Sequence, residues 1–244
     1  NSLEIMPKHK KTSQILKKRA RQEQKGIFPK IFRFLLLSFV FIIISISCGG
    51  VGVYFYFGRN LPKISSLKDY RPSIITTVYS DDTRKIAEFF KERRIVIPLS
   101  QMPEMLKKAF IVAEDARFYK HKGIDLLSIV RAFFKNIEAG AIVQGGSTIT
   151  QQVTKSFFLT PERSYSRKIK EAILAYRIDK KFAKNEILFL YLNQIYLGHG
   201  AYGVEAASEN YFGKSVQELN LAECAILAGL PQAPSRYSPF SYPE

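Results

Sequence analysis

The sequence predicts a mainly helical domain with a small β element, set behind one membrane-spanning helix. Three observations carry that prediction. An uncharged run extends from Phe34 to Phe57, three short runs rich in β-branched and aromatic residues lie between positions 74 and 99, and from Pro103 onward apolar residues recur at helical spacing between helix-cap residues. The chain has 244 residues, 46% of them hydrophobic, enough for one domain with a real core plus an appendage. Its net charge of +16, from 37 Lys and Arg against 21 Asp and Glu, points to an anionic partner: nucleic acid, anionic lipid or a phosphate-bearing substrate. There are only two cysteines, Cys48 in the apolar run and Cys224 in a helical pattern, so no disulfide framework is expected.

The first element is the apolar run. Its 24 residues without charge, at ~1.5 Å per residue, span a hydrocarbon core of ~30 Å with some tilt. Residues 1–33 hold ten Lys and Arg and two Glu, and Tyr54 and Tyr56 sit at the far end. The positive-inside rule then places residues 1–33 in the cytoplasm and everything after 58 outside, with the tyrosines at the opposite interface. A cleaved signal peptide would have a shorter apolar region and an A-x-A site, and Ser45-Ile46-Ser47 is a poor approach to a lipidated Cys48. The basic tail needs no role beyond orientation and contact with anionic lipid, so no nucleic-acid partner is expected. The expected organisation is a cytoplasmic tail at 1–33, a transmembrane helix at 34–57 and an exported domain at 58–244, with a linker and the β element in 58–100.

Residues 58–72, with Pro62 and Pro72, read as linker. Ile74–Tyr79, Lys85–Phe90 and Arg94–Leu99 read as a small antiparallel sheet, Ser80-Asp81-Asp82 turning the chain between the first two. A helix then begins with Pro103 at its first position. The next covers about 125–139, with Asp125 as N-cap and Gly140 just past its end. Ala141–Gly146 is a glycine-containing loop, expected to be mobile. A helix follows from Ser147 or Thr148, where Thr148 and Gln151 have capping-box spacing. Further helices are expected over about 165–182, from Asn185 to about 197 before Gly198, over 202–212, and over 220–229, where Asn220 and Glu223 repeat the capping-box spacing.

Three segments could carry chemistry. Leu106, Phe110 and Glu114 fall on one helical stripe. A carboxylate ending an apolar stripe is partly desolvated, and its raised pKa suits proton transfer; the alternative is a rim carboxylate in a surface ion pair. Asp115, His121 and Gly123 follow within ten residues, His121 being expected to tie down the loop. The second segment runs from Gly145 to Lys155. A glycine-rich loop opening onto a helix N-terminus leaves backbone N–H groups for an anion, with the Ser147 and Thr148 hydroxyls as added donors and Lys155 as added charge. The third runs from Arg163 to Glu171, where Arg167 and Lys168 stand four and three residues before Glu171. That is either a salt-bridged helix face worth ~0.3–0.5 kcal/mol per pair or a cationic clamp for a diphosphate beside a second carboxylate. Two carboxylates with a cationic site between them fit glycosyl transfer. No His and Cys pattern of zinc type is present.

Together these segments resemble the peptidoglycan glycosyltransferases of family 51, the amino-terminal half of class A penicillin-binding proteins. The pattern E-D-x-x-F-x-x-H-x-G matches Glu114 to Gly123, with Phe118 and His121 at its fixed positions. G-x-S-T-x-T-Q-Q matches Gly145 to Gln152, R-K-x-x-E matches Arg167 to Glu171, and K-x-x-I-L-x-x-Y-L-N matches Lys184 to Asn193. Four such blocks in order over about 80 residues are specific, and the resemblance covers roughly residues 59–240.

The resemblance implies a lysozyme-like, mainly α glycosyltransferase domain in the bacterial cytoplasmic membrane. The implied donor is a growing glycan chain on polyprenyl diphosphate, and the implied acceptor is lipid II. Glu114 is then the general base on the acceptor 4-hydroxyl, giving a β-1,4 linkage with inversion. Glu171 helps hold the leaving diphosphate, directly or through a divalent cation such as Mg or Mn. Lys155, Arg163, Arg167 and Lys168 bind the diphosphate, Ser147, Thr148 and Gln152 line the donor side, and Asp115 and Asn193 support the site. Moenomycin is the implied inhibitor, and other cell-wall synthesis proteins are possible partners. Phe133, Phe134, Ile137, Ala141, Ile142 and Val143 are expected to enter the outer leaflet, with ordinary core as the alternative for Phe133, Phe134 and Ile137. A wall hydrolase of similar fold has no diphosphate to hold, so the cations at 155–168 argue against it. A tethered scaffold for anionic polymer is the non-enzymatic rival. The sequence stops at Glu244 without a transpeptidase domain, which reads as either a truncated chain or a monofunctional enzyme, and the proline-rich end favours truncation at an interdomain linker.

Overall fold

The structure, a computed structural model, describes residues 8–59, 61–62, 64, 76–90, 92–160, 162, 164–234 and 236–237. The linker expected at 58–72 lies mostly outside them, as do Ile74, Arg163 and the stretch after Tyr237. The chain divides into two compact units, residues 1–56 and 57–244.

The first unit is α1, Lys8–Gly58, which runs on into the start of the second. Its segment Phe32–Gly58, 27 residues, is long and apolar enough to cross a membrane by length and composition. The helix continues back through much of the basic stretch.

In the second unit, β1 (Thr76–Tyr79) and β2 (Lys85–Phe89) form an antiparallel hairpin that pairs Thr76 with Phe89 and Val78 with Ala87. The Ser80 amide donates to the Arg84 carbonyl at 2.8 Å and closes the expected turn. The third apolar run does not join this sheet. Only β3 (Arg93–Arg94) is strand, and it pairs in parallel with β4 (Ala201–Tyr202). The reason is packing: Ile95, Ile97 and Leu99 lie against the helical core instead of the hairpin, and Pro98 brings no N–H to a ladder.

The helices are α2 (Glu104–Asp115), α3 (Leu126–Ala139), α4 (Ile149–Phe158), α5 (Tyr165–Lys181), α6 (Lys184–Gln194), α7 (Val204–Phe212) and α8 (Leu221–Gly229). Several starts follow the cap residues named above. The Asp125 carboxylate accepts from the Leu127 and Ser128 amides, and Gly140 ends α3 in the left-handed conformation. Thr148 with Gln151, and Asn220 with Glu223, form complete capping boxes. Two boundaries differ from expectation. Pro103 is the N-cap of α2, with extended ψ, not its first helical residue. α6 starts after Ala183, whose amide donates to Glu186 at 2.7 Å, so Asn185 lies inside the helix. It ends at Gln194 because Tyr196 turns into a bridge with Tyr202.

The core gathers Leu106 and Phe110 of α2, Phe118, Ile149 and Val153 of α4, Ile178 of α5 and Ile187, Leu188, Tyr191 and Leu192 of α6. Each such side chain taken fully from water contributes about 1.5–3 kcal/mol. α2 packs chiefly on α8, and α4 on α5 and α6. This puts the C-terminal end of α2 beside the N-terminal end of α4. α3 is different. Of its residues only Ala132 is buried, while Phe133, Phe134 and Ile137 are more than half exposed. The core alternative for these three is therefore overturned.

Candidate active site

Glu114 occupies the last turn of α2 as the expected end of the Leu106–Phe110 stripe, half-buried where its two predecessors are fully covered. Burial pushes its carboxyl above the ordinary value. The hydrogen bond from Gln152 pulls the other way, and the Asp115 charge adds to the rise. Gln152 Nε2 donates to Glu114 Oε2 at 2.6 Å. Both side chains line an open cavity of about 460 Å³, whose wall also holds Ser147, Arg131, Gln144 and Gln232.

Asp115 faces the other way. It is buried and accepts from His121 Nε2 at 2.9 and 3.0 Å and from the Ile149 amide at 3.0 Å. A carboxylate on the first amide of α4 complements the positive end of that helix. His121 thus ties down its loop as expected, through Asp115. Its carbonyl accepts from Lys184 Nζ at 2.8 Å, and that ammonium also reaches Asp179 and stands 4.7 Å from the Phe118 ring centroid. Gly123 is required by space: its φ is +83° and an added Cβ would lie 2.4 Å from the Ala175 carbonyl oxygen of α5.

The helix N-terminus expected to hold an anion is occupied by protein groups. The Ile149 amide goes to Asp115, the Thr148 amide to Gln151 and the Gln151 amide to Thr148 Oγ1. The Thr148 hydroxyl donates to the Gly123 carbonyl at 2.6 Å and is buried. Thr148 is therefore a structural cap and no added donor. Ser147 does point to the charges, accepting from Lys168 Nζ at 2.8 Å.

Glu171 is 2% exposed on α5. Arg167 Nη1 donates to its Oε2 at 3.1 Å and Lys168 Nζ to its Oε1. The expected pairs of Arg167 and Lys168 with Glu171 are present, and a carboxylate buried this deeply makes them more than a solvated helix face. Segment 147–152 joins the two carboxylates, because Ser147 holds Lys168 and Gln152 holds Glu114. Lys155 is exposed in the last turn of α4, about 9 Å along the helix from Ile149 at ~1.5 Å per residue, so it does not sit at the glycine-rich loop. Asn193 lies apart. Its amide donates to the Ile97 and Phe189 carbonyls and accepts from the Ile97 amide at 3.0 Å, so it clamps the segment after β3 and does not line the cavity.

The residues do not fit a resident metal ion. Both Glu171 oxygens already accept from cations, and among the described residues no three His, Cys, Asp or Glu side chains converge as ligands.

Sequence reasoning missed Arg131, Gln144, Asn136 and Tyr191. The Asn136 carboxamide accepts from the Val143 and Gln144 amides at 2.9 Å and donates to the Gln144 carbonyl, which pins the loop expected to be mobile. Asn136 is one of several polar residues on α3, so nothing in the sequence singled it out. The cavity is bounded on that side by Asp125, which Arg117 approaches at 3.0 Å. Burial pushes Asp125 up, but the Ser128 hydroxyl and amide, with the Arg117 charge, hold it below the usual carboxylate value.

A family model described as Transglycosylase matches residues 82–244. Penicillin-binding protein 1A of Rickettsia bellii is 49% identical over 210 residues, covering 84% of this chain and 26% of that protein. The protein of the same name from Escherichia coli is 48% identical over 205 residues, covering 82% and 24%, and that of Aquifex aeolicus is 47% identical over 210 residues, covering 86% and 29%. The chain therefore spans about a quarter of the length of these relatives. A solved structure of penicillin-binding protein 1A from Haemophilus influenzae aligns with a TM-score of 0.35 at 29% identity, over 70% of this chain and 16% of that one.

Proposed function

The chain belongs to the transglycosylase family, the glycosyltransferase part of class A penicillin-binding proteins, and from that premise we propose that it polymerises lipid II into β-1,4 glycan strands. The observation that carries this reading is Glu114, a carboxylate with a raised pKa and one neutral partner, on the wall of an open cavity.

In this reading Glu114 takes the proton of the acceptor 4-hydroxyl, and that oxygen attacks C1 of the donor sugar. The bond from C1 to the diphosphate breaks, with inversion, and polyprenyl diphosphate leaves. Lys168 and Arg167, held by Glu171 and Ser147, stabilise the departing charge. Lys155, exposed on α4, contributes positive charge for the diphosphate, and the same role expected for Arg163 falls on a residue outside the described ones. Asp115, Thr148, Phe118, His121 and Gly123 hold the frame. A divalent ion enters this scheme only as a counter-ion brought with the diphosphate, and no step depends on it.

The apolar exposed face of α3, with Phe133, Phe134 and Ile137, meets the outer leaflet, where the lipid tails of both substrates lie. Tethering by α1 in the bacterial cytoplasmic membrane, N-terminus inside, keeps the site at high effective substrate concentration. Moenomycin competes for the donor side.

The test gives detergent-held protein radiolabelled lipid II and resolves products on a gel, with a Glu114→Gln variant alongside. A ladder of long glycan that disappears in the variant and with moenomycin supports the reading. Shortening of pre-made glycan without synthesis replaces it with a hydrolase. No product from either protein, on lipid II or on pre-made glycan, leaves only a scaffold, and full polymerisation by Glu114→Gln removes Glu114 as the base.

A further inference from the structure

Tyr191 on α6 is 2% exposed, and its ring stands edge-on to Phe110 with centroids 6.2 Å apart. Phe110 lies one helical turn before Glu114 on the same stripe of α2. Packing explains the ring but leaves the hydroxyl unexplained. That oxygen is buried and has no hydrogen-bond partner among the described residues. Leaving such a group unsatisfied is costly, and phenylalanine would fill the same space without that cost.

The ring contact with Phe110, one turn before Glu114 on α2, places the phenol at the end of α2 that carries Glu114 and Asp115. Burial and then the negative charges of Glu114 and Asp115 lift it well above its ordinary value. Asp115 already has two donors, His121 Nε2 close to both its oxygens and the Ile149 amide. Glu114 has one, from Gln152 to Oε2, and no other hydrogen bond to it is present among the described residues. An uncommitted donor thus lies buried near an under-satisfied carboxylate.

We propose that Tyr191 is a positioning residue for Glu114: its hydroxyl turns onto the carboxylate when substrate in the cavity draws the Gln152 amide away. The inference rests on the reading of Glu114 as the base. Gln152 lines the cavity, where a substrate can reach its amide. The phenol then supplies the donor that keeps the base ionised and oriented in the loaded complex. Burial, the Gln152 amide on α4 and the Asp115 charge on α2, with His121 behind it, act on Glu114, and Asp125 and Arg131 also line the cavity. α8, packed on α2, contributes Cys224 and Glu223, the latter paired with Lys214 at 2.9 Å.

The experiment compares the full chain in detergent with Tyr191→Phe and Glu114→Gln, measuring kcat and KM for lipid II polymerisation across pH, and Tm. Glu114→Gln is expected to be inactive. Tyr191→Phe is expected to keep or raise Tm and leave KM near that of the native protein, while kcat falls about tenfold and its acid limb moves to higher pH, since the ionised carboxylate has lost a donor. Native kcat and pH profile in Tyr191→Phe, with Glu114→Gln inactive, overturn the role of Tyr191 alone. A lowered Tm with an unmoved acid limb overturns it too, because the hydroxyl is then structural. Activity retained in Glu114→Gln overturns the base reading itself and the inference with it.

Discussion

Glu114 ends α2 half-buried against one neutral partner, the Gln152 amide, whereas Glu171 lies in the body of α5 at 2% exposure with a guanidinium on one oxygen and an ammonium on the other. Two side chains of the same chemistry therefore stand in opposite electrostatic surroundings, joined through segment 147–152. A carboxylate without cationic support resists ionising and so retains affinity for a proton, which is what a base needs. A carboxylate gripped by two cations has its charge compensated and serves to aim them. The difference in partners, and not in residue type, separates a proton acceptor from a cation holder.

The comparison breaks most visibly at Glu114. Glu114→Gln is expected to lower kcat by about 10³-fold, within the range of a lost general base, as read from lipid II polymerisation. The same variant has a stability signature. The folded pKa of Glu114 is raised, so its neutral form is the one the fold prefers. That stabilisation is full below the unfolded pKa and is lost as pH rises through the folded pKa. The glutamine variant stays neutral throughout. It is expected to melt higher than the native protein at pH 7, with the gap closing as pH falls into the ordinary carboxylate range. Thermal melts across pH check the sign, and a variant that melts lower at pH 7 contradicts it.

Glu171→Gln should act in the opposite direction. It leaves Arg167 and Lys168 without their counter-charge. Breaking a buried pair costs about 3–5 kcal/mol, and the 46% exposure of the Lys168 side chain places the expected loss at the lower end, about 3 kcal/mol. Chemical denaturation measures it. A Glu171 variant as stable as the native protein would erase the contrast.

Much of this contrast was legible in the sequence, for physical reasons that differ by position. Asp125, Thr148 with Gln151, and Asn220 with Glu223 start helices where their side chains meet their own backbone, a local rule visible in spacing. Glu114 could be placed because Leu106 and Phe110 fix the face of its helix. Arg167, Lys168 and Glu171 share one helix, so their pairing is also local. What was not legible depends on distant partners. The Thr148 hydroxyl goes to Gly123, 25 positions away, and Asn193 to Ile97, 96 positions away. The run Arg94–Leu99 has strand composition, yet the helical core claims its isoleucines. Tyr191 reads as one more core aromatic until its hydroxyl is seen without a partner.

Gly123 tests the frame that both carboxylates depend on. Its carbonyl accepts from Thr148, and its missing Cβ lets Ala175 of α5 approach. Gly123→Ala puts a carbon 2.4 Å from a backbone oxygen at a φ of +83°, an expected cost of about 2–3 kcal/mol. Denaturation should report that loss together with reduced polymerisation. Full activity and stability would show that α5 can move away without disturbing either site.

The smallest effect is expected at Gln152, and it sharpens the comparison most finely because it changes only the one neutral partner of Glu114. The Gln152 hydrogen bond lowers the Glu114 pKa against the larger rise from burial. Gln152→Leu removes that donor, so the carboxyl should be pushed further up and the acid limb of kcat/KM in the free enzyme should move to higher pH. A shift of up to about one pH unit corresponds to at most about tenfold at a pH on the limb. On the plateau, where Glu114 is ionised in both proteins, any remaining loss reports Gln152 touching substrate. An acid limb that stays fixed, or moves to lower pH, would mean that burial and the Asp115 charge set the Glu114 pKa and that its single hydrogen bond is incidental.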